Sequence, residues 1–79
     1  MQVGDRFKVT HRLYAGGHLE VVVESVAEGV DPCYNIRLSI TTEVMPGERV
    51  KRFERNENTV VVEPNWFDPE LTGRKITKL

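Results

Sequence analysis

The side chains best suited to chemistry in this chain lie in "GERVKRFERNENTVVVEPNWF", residues 47–67. Arg49, Lys51, Arg52 and Arg55 are followed, after a valine run, by Trp66 and Phe67. Guanidinium and ammonium groups beside aromatic rings suit a nucleic-acid strand, with cations on phosphates and rings under bases. The same rings suit an anchor residue of a protein partner or a methylated cation. Glu48, Glu54 and Glu57 interleave the basic stretch, whereas the tail residues Arg74, Lys75 and Lys78 have no acid among them. If the tail returns beside the basic stretch, the two form one cationic patch.

Other chemistries find no support. No nucleophile–base triad, paired-carboxylate spacing or phosphate loop is present; "YAGGH" (14–18) lacks the Lys-Ser/Thr pair that completes a phosphate loop. A structural zinc site takes about four Cys/His ligands, and only Cys33, His11 and His18 are available. Cys33 has no activating histidine at close spacing, and as the single cysteine it forms no internal disulfide. His11, between Val9 and Leu13, reads as a core-edge residue, and His18 faces Tyr14 across a hairpin. The expectation is therefore no enzyme, no cofactor and no metal. A lone thiol points to a reducing, cytoplasmic compartment. Three valines are the longest apolar run, against about 20 apolar residues for a bilayer-spanning helix, which argues against a membrane partner. Eleven basic against twelve acidic side chains, net −1, remove whole-molecule attraction to DNA.

The elements that must carry these residues are strands. Alternation fits several segments and helical spacing fits none for long, so the 79 residues read as one all-β domain with strands near 5–14, 18–26, 33–44, 49–55, 59–63 and 74–78. A three-residue Ala15-Gly16-Gly17 loop sets Leu13 on Leu19 and Val9 on Val23, whereas a two-residue turn would oppose Leu13 to Glu20. That register pairs Arg12 with Glu20 and Lys8 with Glu24. "MPGE" (45–48) has the Pro-Gly order of a type II turn, and a tight hairpin there sets Ile40 against Phe53. Tyr34, Ile36, Leu38, Ile40, Val60 and Val62 point inward. "DPELTG" (68–73) reads as one helical turn, with Asp68 as N-cap, Pro69 first and Gly73 as the stop. Short strands, tight hairpins and a helical turn near 68–72 before the last strand predict a small barrel of five to six antiparallel strands.

"VGDRFKV" (3–9), the glycines at 16 and 17, "LEVVVESV" (19–26) and the position of "EPNWFDPE" (63–70) resemble the SH3-like small-barrel superfamily, in particular its KOW- and Tudor-type members. The resemblance is one of topology. It implies a fold that hosts RNA, DNA, peptide and assembly contacts, and no residue set here matches a Tudor aromatic cage or a proline-peptide groove.

Together these readings predict a non-catalytic binding module that docks onto another protein or assembly. One ring of Trp66-Phe67 caps the barrel and the other is free, with Arg52 and Arg55 supplying electrostatic fit. The alternative is a nucleic-acid binder using the 49–55 strand and the 74–78 tail, Lys75 included. Self-association into a homo-oligomer is the third prospect for so short a chain.

Overall fold

In a computed structural model describing residues 1–13, 16–28 and 34–79, with backbone alone for Glu28 and Tyr34, the chain is mostly antiparallel sheet. Its strands are β1 (Arg6–His11), β2 (His18–Glu28), β3 (Tyr34–Val44), β4 (Lys51–Arg52), β5 (Thr59–Val62) and β6 (Arg74–Lys78). A 3-10 turn (Pro64–Phe67) and a short helix α1 (Pro69–Thr72) separate β5 from β6. The Tyr14–His18 pairing, the contribution of Ala15 to the first loop, Cys33 and the inward orientation of Tyr34 lie outside the described residues.

The strand order is β4-β3-β2-β1-β6, and β5 also pairs with β3. Both β4 and β5 run antiparallel to β3 along one edge, so they are two pieces of one interrupted strand. Ser39 pairs with Thr59 and Thr42 with Arg52; three steps on β3 thus match seven on the interrupted strand, and four residues are extruded. The extruded turn closes with Glu57 N–H donating to Glu54 O at 3.1 Å, and Asn56 takes φ 66°. Asn is among the few residues that enter this left-handed region at low cost.

The all-β expectation holds, as does the helical turn. Asp68 accepts from Glu70 N–H at 2.9 Å, and Gly73 ends α1 at φ 73°. Among the described residues the pairings do not join β5 to β6, so closure of the ribbon into a barrel is not shown.

Two registers differ from expectation. In the first hairpin Val9 pairs with Leu19 and Phe7 with Val21, a displacement of four residues from the predicted Val9–Val23 pairing. An even displacement keeps every side chain on its face, so the apolar set still converges, but β1 stops at His11. Leu13 falls beyond the strand and is 76% exposed, not core. The compensation lies at the other end: Gly4 N–H donates to Val23 O and Val23 N–H to Asp5 O, at 2.8 and 2.9 Å. The slide also re-pairs charges. Lys8 now lies opposite Glu20, Arg6 approaches Glu20 at 3.9 Å, and Arg12 lies beyond the strand.

The second difference starts at Thr41. Val21 pairs with Ile40 while Glu20 pairs with Thr42, leaving Thr41 as a bulge whose hydroxyl donates to Glu20 O at 3.2 Å. The Met45–Glu48 turn forms as expected, with Glu48 N–H on Met45 O at 3.1 Å and Gly47 at φ 77°. The extra residue in β3 shifts the register of the next strand, so Phe53 N–H donates to Thr41 O and Phe53 does not oppose Ile40. Phe53 is accordingly half-buried and outside the main core. The same bulge turns Glu43, opposite Leu19, toward the core face.

That core consists of Val9, Val21, Val23, Ile36, Leu38 and Val62, with Phe7, Leu19, Ile40, Val60, Trp66, Phe67 and Ile76 packed against it. Val60 and Val62 point inward as expected; Val61 between them is 62% exposed. On the opposite face Val22 and Ser39, cross-strand partners, are buried, and the extruded turn reaches Ser39. Here Glu24 accepts from Arg55 Nε and Nη2 at 2.7 and 3.0 Å and from the Ser39 hydroxyl at 3.0 Å. Asn56 N–H completes the network by donating to Ser39 Oγ at 2.8 Å.

The Arg55 hydrogen bond, and secondarily the Ser39 hydroxyl, hold the Glu24 carboxyl below its ordinary 4.5 against the opposing effect of desolvation. A depressed folded-state pKa means that the unfolded chain binds more protons below that ordinary value. The contribution of the pair is therefore complete above the ordinary value and is lost as pH falls through the folded one. Urea midpoints of the wild type and Glu24→Gln are expected to differ at neutral pH and to converge on acidification below the ordinary carboxylate value. A gap that stays constant would contradict this role of Glu24.

Candidate groove beside Trp66

Pro64 opens the 3-10 turn, and the turn aims its two aromatic residues differently. Phe67 goes inward: its ring meets Phe7 edge-on at 5.6 Å and 63°, and Trp66 at 5.0 Å and 73°. Trp66 is half-buried and forms one wall of a groove of about 500 Å³ on the core face of the sheet. Val9, Leu19, Ile40 and Val60 line it from the inner face of the sheet, and Glu43, Met45, His11, His18, Leu13 and Arg74 line it as well. Both rings pack against the core, and of the two Trp66 lines the groove.

Arg74 stands over Trp66, its guanidinium carbon 4.6 Å from the ring centroid. A cation so placed is attracted by the ring quadrupole, and its planar fork is held in one orientation. The backbone of Arg74 is fixed from both sides. It pairs with His11 across the β1–β6 ladder, and its N–H donates to the Thr72 hydroxyl at 3.2 Å. His11 ties the same corner together. Leu13 N–H donates to Nδ1 at 3.0 Å, so Nε2 carries the ring proton and donates to Thr72 O at 3.0 Å. His11 therefore has the structural role expected of it, at the groove rim and not in the main core.

The remaining residues that the sequence singles out do not gather here. Arg52, Thr42, Glu20, Lys8 and Thr77 form a cross-strand row on the opposite face. Lys75, opposite Thr10, projects from that face too. Arg52 and Lys75 occupy the two edge strands, four steps apart, which is about 19 Å across a flat sheet. Glu20 lies between them, so these two cations do not make one patch. Arg55 is occupied by Glu24.

Sequence patterning does not mark three of the groove residues as site residues: it assigns Leu13 to the core, carries no signal at Glu43, and groups Arg74 with the basic tail. Among the described residues no set of three or more His, Cys, Asp or Glu could hold a metal ion. No helix among them is long and apolar enough to cross a membrane. Comparison with family models, with curated proteins and with solved structures finds no match to the chain.

Proposed function

We propose that the protein is a non-catalytic docking module that receives a segment of another protein in the Trp66 groove. The carrying observation is Leu13: a large apolar side chain that lines an apolar cleft and is yet 76% exposed. Exposed aliphatic surface next to a half-buried tryptophan and an oriented arginine is the composition of a protein-binding patch, in which Trp and Arg dominate the energetics. The separation of Arg52 from Lys75 weighs against the nucleic-acid reading, because phosphates need convergent cations. The resemblance to SH3-like barrels is compatible with either reading.

Since Leu13 contributes little to the core, Leu13→Glu is expected to leave the thermal midpoint nearly unchanged and to abolish capture of the partner from nuclease-treated lysate of the native host. The double variant Arg52→Glu/Lys75→Glu is expected to retain capture. Loss of capture in the double variant, with Leu13→Glu unaffected, would establish the opposite face as the working surface.

A further inference from the structure

We infer that the groove's ligand is an extended peptide bearing a carboxylate, an apolar side chain and a cation at alternate positions. This rests on the docking reading above and names the partner's chemistry. Arg74 is half-buried, oriented by Trp66, and has no carboxylate partner among the described residues. A guanidinium whose aromatic support fixes its plane is preorganised for a carboxylate. With Arg74 on the ring, Trp66 is not free to stack on a ligand cation through that face.

Glu43 lines the same groove and likewise has no ion pair among the described residues. It is three strand steps from β6, in the row Glu43–Leu19–Val9–Ile76, and Arg74 lies two residues farther along β6. The groove is therefore dipolar, acid at one end and base at the other, on the order of 15 Å apart. Leu19 and Val9 supply the apolar floor between them. Side chains on one side of an extended chain recur every ~6.8 Å, so positions i, i+2 and i+4 span about 14 Å. An acidic–x–apolar–x–basic segment, in either chain direction, thus sets its carboxylate on Arg74, its apolar side chain over Val9 and Leu19, and its cation on Glu43. A nucleic-acid strand fits less well, because its regular phosphates would meet Glu43 and an apolar floor.

The test uses the 15N-labelled protein and blocked peptides acetyl-Asp-Ala-Leu-Ala-Lys-amide and its reverse sequence, read by amide and indole shifts. One of the two is expected to bind saturably, moving Leu19, Ile40 and the Trp66 indole. Replacing its Asp by Asn is expected to weaken it about tenfold, as loss of a charge-assisted hydrogen bond does. In Arg74→Gln the Asp and Asn peptides are expected to bind alike. Arg74→Lys, which keeps the charge without the planar fork, is expected to fall between wild type and Arg74→Gln and guards against misreading a folding defect. Equal binding of the Asp and Asn peptides to wild type, shifts confined to the Arg52–Lys75 face, or no binding by either peptide would overturn the inference. The docking reading fails separately, when Leu13→Glu leaves partner capture intact.

Discussion

Leu38→Ala is expected to lose about 3–4 kcal/mol of stability, the range for a buried leucine whose cavity cannot collapse. Leu38 is 0% exposed and lies between Val23 on β2 and Val60 on β5, in the strand that carries both pieces of the interrupted edge. Neighbours on both sides are ladder-bound, so backbone relaxation into the void is restricted. A domain of this length has a total stability of roughly 4–12 kcal/mol, so the variant gives up between about a quarter and nearly all of it. Urea titration should show a lower midpoint with an unchanged slope. Val61→Ala, on the exposed side of β5, should stay within about 0.5 kcal/mol of wild type. A loss below about 1 kcal/mol for Leu38→Ala would mean that the inner face of the sheet is not the core.

Phe67→Ala is expected to be the next most damaging, at about 2–3 kcal/mol, below a fully buried phenylalanine because the ring is only half-buried. Its effect is to disconnect two parts of the fold. Phe67 bridges Phe7 of β1 to Trp66 through edge-on contacts at 5.6 and 5.0 Å, so its removal frees the 3-10 turn from the sheet. Trp66 then gains solvent, and its emission should shift to the red in the folded variant. Phe67→Leu, which keeps the volume but not the ring contacts, should cost about 1 kcal/mol. An Ala variant with wild-type stability and emission would place Phe67 outside the scaffold.

The strands, their faces and the helical turn are legible in the sequence because each rests on local signals. Period-two alternation identifies Val9, Val21, Val23, Ile36 and Leu38 as inward residues, and Asp68-Pro69 with Gly73 brackets α1. Register is not legible, because it depends on residues far apart in the chain. The displaced β1–β2 pairing arises from Gly4 and Asp5 meeting Val23, a contact with no sequence signature, and it moves Leu13 from core to groove. The bulge at Thr41 has no glycine to announce it, yet it takes Phe53 out of the core and puts Glu43 into the groove. The extruded turn commits Arg55 to Glu24 across 31 positions. Local patterning thus settles which face a side chain occupies where the ladder is regular, and long-range pairing settles its neighbours and, beyond a bulge, its face as well. That the adjacent rings Trp66 and Phe67 point differently can be read from the sequence, but which of them lines the groove cannot. Nor can the position of Arg74 over the Trp66 ring, since it depends on the β1–β6 ladder.

The central claim is that the working surface is the Trp66 groove and not the opposite, basic face. The most direct test installs a photo-crosslinking benzophenone side chain at Leu13 or, separately, at Thr77, both exposed and on opposite sides of the sheet. After irradiation in the native cells, position 13 is expected to yield a discrete, nuclease-resistant protein adduct and position 77 none. An adduct from position 77 alone, or one that nuclease removes, would contradict the account.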